Sequence, residues 1–315
     1  MPIPESSLEP GPAGGPVSAG AAPPRLNLRV PATAPPPGIA WPTVLLWVLA
    51  LAAWLASTVL WLRGGLPTWV LVPVNAAASF AMFTVLHEAS HNAAGTRHAV
   101  NQVLGRLSVP FVAIYIAFPA FRFIHMQHHR FTNEAPDRDP DAYTTDAPWW
   151  QLPARWLTVD AAYARFYARH LGSRPRRERA ELAGAGVAFA SVVAATLATG
   201  TFGDFLLIYL IPQRLALALL AWWFDWLPHH GLEKTAAENR FQATRNRVGL
   251  EPILSPLMLN QNYHLVHHLH PRIPFYRYVS TWRAQEEAYL EHDPALITAA
   301  GRTIDADEYR RLRIR

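Results

Sequence analysis

Four short stretches of this chain carry histidines at spacings that can do chemistry. They are His87-Glu88-Ala89-Ser90-His91, His125-Met126-Gln127-His128-His129, Asp225-Trp226-Leu227-Pro228-His229-His230 and Asn262-Tyr263-His264-Leu265-Val266-His267-His268. The chain has 14 histidines and no cysteine. Without thiols there are no disulfides, no iron–sulfur clusters and no thiolate-bound haem, so any metal must be held by nitrogen and oxygen. On a helix, residues i and i+4 share a face, which makes His87 and His91 a two-point metal grip. Two of the stretches share the pattern His-x-x-His-His, whose three imidazoles are expected to converge on one volume. Eight or nine neutral imidazoles are too many for one ion and suit two. Imidazole accepts Fe, Zn and Cu alike, so ligand type does not name the metal. His98, His170, His270 and His292 stand apart and read as structural or surface residues, and His229 is preferred to its neighbour His230.

These clusters can cooperate only if other elements bring them together. Of the 315 residues, 51% are hydrophobic and 16% are charged, a balance that leans toward a membrane protein. Four stretches have the roughly 20 apolar residues that a bilayer crossing needs: Trp41 to Leu62, Leu66 to Leu86, Leu182 to Thr199 and Phe205 to Phe224. Arg63-Gly64-Gly65 joins the first pair and Gly200-Thr201-Phe202-Gly203 the second, which predicts two antiparallel hairpins. Twelve arginines lie in 87–181, and eleven arginines with Lys234 lie after 224. The positive-inside bias then puts the middle loop, the C-terminal part and both termini in the cytoplasm. All four histidine clusters fall on that same side. The expected fold is an all-α membrane protein with about four transmembrane helices in two hairpins and a cytoplasmic, histidine-rich helical cap.

A fifth apolar stretch, Leu107 to Phe121, is broken by Pro110 and Pro119 and reads as interfacial or re-entrant. Residues 1–38 are rich in Pro and Ala, lack the basic start of a signal peptide and are expected to be a disordered tail. Residues 39–290 form the membrane-embedded unit with its cap, and 291–315 a charged C-terminal tail. The net charge of +5 is spread between apolar blocks rather than along a stripe with stacking aromatics, which disfavours nucleic acid as a partner.

HEASH at 87–91, HMQHHRFTNEAPDRDPD at 125–141 and NYHLVHHLHPRIPFYRY at 262–278 resemble the histidine boxes of the membrane fatty acid desaturase superfamily, in that family's order. The resemblance covers roughly residues 40–290. It implies two irons held by His87, His91, His125, His128, His129, His264, His267 and His268. It also implies a further ligand, His229, with Asp225 one turn earlier. The Asp-x-x-Pro-His form and the tail after His268 look most like the carotenoid-hydroxylase-like branch. The implied activity is an O2-dependent desaturation or hydroxylation of an aliphatic C–H bond, on a fatty acyl chain or, alternatively, a carotenoid ring. Glu88, Asp137, Asp139, Asp225 and Asn262 are candidates to hold imidazole N–H groups from outside the ligand set. Electrons must come from a separate ferredoxin, rubredoxin or cytochrome, since neither a dinucleotide fingerprint nor a fused cytochrome b5 motif is present. Arg174, Arg176, Arg177 and Arg179 could dock such a carrier, or simply flank the third span. His87-Glu88-Ala89-Ser90-His91 is also a literal HExxH, the zinc-protease motif, but that alternative leaves both His-x-x-His-His boxes idle.

Overall fold

A computed structural model describes residues 35–313, so most of the expected N-terminal tail lies outside the described residues. Helices α1 (Trp41–Leu62) and α2 (Thr68–Ser90) are followed by α3 (His98–Val112) and α4 (Phe118–Phe131). Three short helices come next, α5 (Ala142–Thr145), α6 (Leu152–Leu157) and α7 (Val159–His170), and then α8 (Arg176–Ala198). The long α9 (Phe202–His229) completes the set of four helices long and apolar enough to cross a membrane, namely α1, α2, α8 and α9.

α2 is the hub, with α1, α3 and α9 packed around it. Polar pairs buried at both ends lock α1 to α2. The Thr43 hydroxyl donates to the Glu88 carboxylate at 2.7 Å, and the Ser57 hydroxyl to the Asn75 amide oxygen at 2.6 Å. α8 behaves differently from the second hairpin expected from the sequence. None of its residues is buried, and it meets α9 mainly near their shared turn. Its other ties run to α3 and the segment after it, through the Arg106–Glu181 ion pair and the Tyr115–Phe189 ring contact, and to α4 and α7, where Leu182 packs against Ala120, Ile124, Phe166 and Tyr167.

Two prolines shape α9. Pro212 and Pro228 lack the N–H that would bond Ile208 and Phe224 four residues earlier. The helix widens to i→i+5 hydrogen bonding over Leu206–Leu210 and Ala221–Trp226, the two segments that contain those carbonyls. The Ile208 carbonyl is not left bare, because the Asn75 amide donates to it at 2.8 Å. The second widening carries Asp225 and leads into His229.

The stretch read as interfacial or re-entrant is α3, a break at 113–117, and α4. The break lies beside the middle of α9, and α9 side chains satisfy its free backbone groups. The Tyr209 hydroxyl donates to Pro110 O at 2.5 Å and accepts from Ile114 N–H at 2.9 Å, while Gln213 Nε2 donates to Val112 O at 2.7 Å. Non-helical backbone at this depth is tolerable only when protein closes around it in this way. Arg214, on the next residue of α9, is paired with Asp160 at 2.7 Å.

The chain beyond α9 departs from the all-α expectation. Strand β1 (Arg245–Val248) runs parallel to β2 (Ala295–Thr298), which is antiparallel to β3 (Thr303–Ile304). Between them lie α10 (Glu251–Leu257), α11 (His264–Leu269), α12 (Tyr278–Ala284) and α13 (Glu286–Leu290). The last helix, α14 (Ala306–Arg313), packs Tyr309 into the same core as Trp282, whose indole N–H donates to its hydroxyl at 2.8 Å. Residues 291–313 are therefore part of the folded unit rather than a tail, because Leu296, Ile304 and Tyr309 bury apolar surface there. At the other end Pro37 O accepts from Thr96 N–H and Ala94 O from Ala40 N–H, both at 2.9 Å, so residues 37–40 are tied to the turn after α2.

Asn75→Leu would free the Ile208 carbonyl and leave the Ser57 hydroxyl only the Trp54 carbonyl as acceptor. The expected cost is about 1–2 kcal/mol, read as a lowered melting temperature of the detergent-solubilised chain. An unchanged melting temperature would show that the carbonyl finds another donor.

Candidate metal centre

Each histidine cluster arrives from a different element. His87 and His91 end α2, His125, His128 and His129 line the last turns of α4, His229 ends α9, and His264, His267 and His268 make up α11. The structure brings all nine together, but not into one volume per box. One atom from each of His87, His91, His125, His129 and His267 lies within 4.8 Å of the others, and the same holds for His128, His229, His264 and His268. Each His-x-x-His-His box is thus divided. Residues i and i+4 join one group and residue i+3 the other, because i and i+4 are better aligned along a helix than i and i+3. The groups abut where the His129 and His268 rings stack at 4.1 Å.

The nitrogens face inward. His91 Nε2 and His125 Nε2 are 2.7 Å apart, His129 Nε2 and His267 Nε2 2.9 Å, and His264 Nε2 and His268 Nε2 3.2 Å. Both ring nitrogens of buried His87, and Nε2 of His229, have no hydrogen-bond partner among the described residues. Buried polar atoms without partners are costly, and a cation placed among them removes that cost.

The scan against known families decides the assignment, for the fatty acid desaturase model matches residues 64–300. The chain belongs to the fatty acid desaturase family. That makes it an oxidoreductase of the desaturase and hydroxylase superfamily, a family that uses iron. The chain is 28% identical over 243 residues to a beta-carotene ketolase of Paracoccus sp. (strain N81106 / MBIC 01143), covering 73% of this chain and 88% of the relative. It is 24% identical over 237 residues to dihydrorhizobitoxine desaturase of Bradyrhizobium elkanii, covering 66% of each. A second beta-carotene ketolase, of Paracoccus sp. (strain PC1), is 26% identical over 234 residues, or 74% of this chain and 82% of that one.

Contacts behind the imidazoles fix their tautomers. His128 Nδ1 donates to Asp139 Oδ1 at 2.9 Å, with Asp141 Oδ2 at 3.3 Å. Gln261 Oε1 accepts from His264 Nδ1 at 3.0 Å, and the Ala243 carbonyl from His229 Nδ1 at 3.1 Å. The Tyr278 hydroxyl is hydrogen-bonded to His267 Nδ1 at 2.9 Å. In His128, His229 and His264 the Nε2 is left with a lone pair to offer. Burial, reinforced by neighbouring imidazoles, holds His125, His129, His264, His267 and His268 well below the usual imidazole range, so they are neutral. Burial pulls His128 down as well, but Asp141 and Asp139 outweigh it and bring that imidazole to about 9. A metal at His128 therefore displaces a proton that these carboxylates favour.

Only part of the expected outer set lies here. Asp139 does, while Asp137 is exposed and touches no imidazole. Glu88 sits beside His87 in sequence yet accepts from Thr43 and from the Phe275 N–H at 2.5 Å, tying α1 to the chain after α11. Asn262 turns to Ser255 Oγ at 3.2 Å rather than to a histidine. Asp225 meets the Thr144 and Tyr163 hydroxyls at 3.3 and 3.4 Å. Sequence reasoning missed Asp141, Gln261 and Tyr278. The signal available was sequence proximity to a box, which selects equally for Asp137 and Asp139. It also missed Asn133, whose amide donates to Lys234 O and Ala243 O, both at 2.8 Å. Asn133 has φ of 64°, a conformation that asparagine tolerates better than most residues. His230 stacks on Trp226 and His270 pairs with the Tyr289 hydroxyl, both outside the two groups.

Asp139→Asn should weaken metal binding by about 10–100-fold in a chelator competition, the usual cost of losing a partner behind a ligand. Asp137→Asn should leave it unchanged. Equal behaviour of the two variants would remove Asp139 from the centre.

Proposed function

We propose that this chain uses two irons and O2 to oxidise an unactivated aliphatic C–H bond of a hydrophobic molecule, by desaturation or hydroxylation. The observation that carries the proposal is the division of nine inward-facing histidines into abutting groups of five and four. Each group falls short of the six positions an octahedral ion offers, which leaves room for a further ligand at both. Iron held there would pass electrons to O2 and so supply the oxidising power toward the C–H bond, and the protein's part is binding, orientation and exclusion of side reactions.

The residues of this chain fit that part. A cavity walled by Phe83, Phe121, Ile124, Leu217, Leu220 and Phe224 reaches His125, His128 and His264. Its apolar walls suit a hydrocarbon, which has no polar handle near the reacting carbon and must be placed by shape. They also keep bulk water from the histidines. The family as a whole supports a fatty acyl chain as substrate. The two relatives named beta-carotene ketolases favour a carotenoid ring, as does the Asp-x-x-Pro-His form at 225–229, and we take the carotenoid as the second reading. The HExxH protease reading has no support in the geometry, because the Glu88 carboxylate is held by Thr43 and Phe275 and is not free to activate water.

In the membrane, we place the histidine end of the bundle and both termini on the cytoplasmic side, on the strength of the arginines that flank it. Electrons then come from a soluble carrier, a ferredoxin, rubredoxin or cytochrome.

The test is metal content of the anaerobically purified, detergent-solubilised chain beside His128→Ala, with lipid and pigment profiles of cells with and without the gene. About two irons per chain are expected, with at least one lost in the variant, together with an altered acyl or carotenoid profile. A single zinc indifferent to His128→Ala would overturn the proposal.

A further inference from the structure

Tyr163 belongs to α7, an element that contributes none of the nine histidines, yet it lines the same cavity as His128 and His264 of the four-histidine group. Its ring lines the cavity with Phe121, Ile124 and Leu217. Its hydroxyl donates to Asp141 Oδ1 at 2.6 Å and lies 3.4 Å from Asp225 Oδ2. The other oxygen of Asp141 is 3.3 Å from His128 Nδ1.

The two carboxylates behind His128 are anchored differently. Asp139 is fixed by backbone, since its oxygens accept from the N–H groups of Asn133 at 2.8 Å and Asp141 at 3.0 Å. The Asp141 side chain has no such anchor; apart from its ion-pair contact with His128, its hydrogen-bond partner among the described residues is the Tyr163 hydroxyl. A phenol has one proton to give, and the 2.6 Å distance assigns it to Asp141 rather than Asp225. Without it the carboxylate keeps its attraction to His128 but loses the contact that sets its rotamer.

We infer that Tyr163 is a positioning residue for the four-histidine metal site, acting through Asp141 on His128. The inference rests on the proposed metal centre. It differs from the tautomer-fixing contacts above in one respect: the group that holds the carboxylate is also a wall of the cavity, so filling of the cavity and geometry of the ligand meet in one side chain.

The experiment loads the full detergent-solubilised chain with Co(II) and records its visible absorption and its affinity in a chelator competition. Wild type is compared with Tyr163→Phe, Asp141→Asn, the double variant and Tyr143→Phe, whose hydroxyl pairs with Thr158 at the surface. Tyr163→Phe should lower the affinity of one of the two sites by about 10-fold, the low end for loss of an outer partner, and shift the absorption of that ion alone. Asp141→Asn should do the same, and the double variant should lose no more than the larger single loss, as expected of residues acting along one path. Tyr143→Phe should match wild type. A merely structural role for Tyr163 would lower the melting temperature without selecting one site. Wild type that loads two ions while Tyr163→Phe is indistinguishable from it overturns this inference alone, and so do losses that add fully in the double variant. Wild type that takes up no cobalt overturns the metal centre and this inference together.

Discussion

Nine imidazoles, six of them buried and three partly so, with nitrogens turned on one another are a poor arrangement unless positive charge lies among them. Buried polar atoms need partners, and His87 and His229 present nitrogens that nothing among the described residues meets. Much of the chain outside the spans can be understood as holding that arrangement in place. Asn246 Oδ1 accepts from the Leu265 N–H at 3.0 Å and so pins the start of α11 to β1. Asn133 joins the loop after α4 to the loop after α9, and the Ala243 carbonyl it reaches is the same one that orients His229. Glu88 spans α1 and the segment after α11 with a single carboxylate. Each of these contacts lies near a histidine in sequence or space and holds the frame around it rather than the imidazole itself.

The same logic explains why the centre sits at the end of the bundle. Helices long enough to cross a membrane satisfy their own backbone internally, and side chains can converge only where such helices stop. α2 ends at its histidine pair, and α9 ends at His229 after the widening that Pro228 imposes. The break between α3 and α4 brings a third element to the same level, and Tyr209 and Gln213 make that break tolerable inside the bundle. The prolines and the buried polar side chains of the spans are thus parts of one solution, since each freed carbonyl at Ile208, Pro110 and Val112 is met by a named donor.

How much of this was legible in the sequence follows from the range of each signal. The four apolar helices and the histidine boxes are local patterns, and α1 begins and ends where hydropathy places it. Local periodicity also showed that i, i+3 and i+4 lie near one another, but not that i+3 would serve a different neighbour. That depends on how α4 and α11 face each other, a tertiary fact. Gln261 and Tyr278 are invisible for the same reason, for nothing in the run of residues distinguishes Gln261, which reaches His264, from Asn262, which does not. The sheet is hidden by brevity. Its strands are four, four and two residues long, too short for alternation to stand out. The charges of α14 made a tail of what is an amphipathic helix anchored by Tyr309.

The two faces of the centre differ in a way that bears on any oxidation carried out there. Toward the cavity, His125, His128 and His264 meet phenylalanine and leucine side chains. His129 and His268 do not line that cavity; they are partly buried, as His125 is, and Arg240 lies against the His268 carbonyl at 3.4 Å. These two rings are also the pair that joins the five-histidine and four-histidine groups. Under the proposed function the hydrocarbon occupies the apolar cavity at His125, His128 and His264, while the stacked His129 and His268 join the two groups, the second of them against the exposed Arg240.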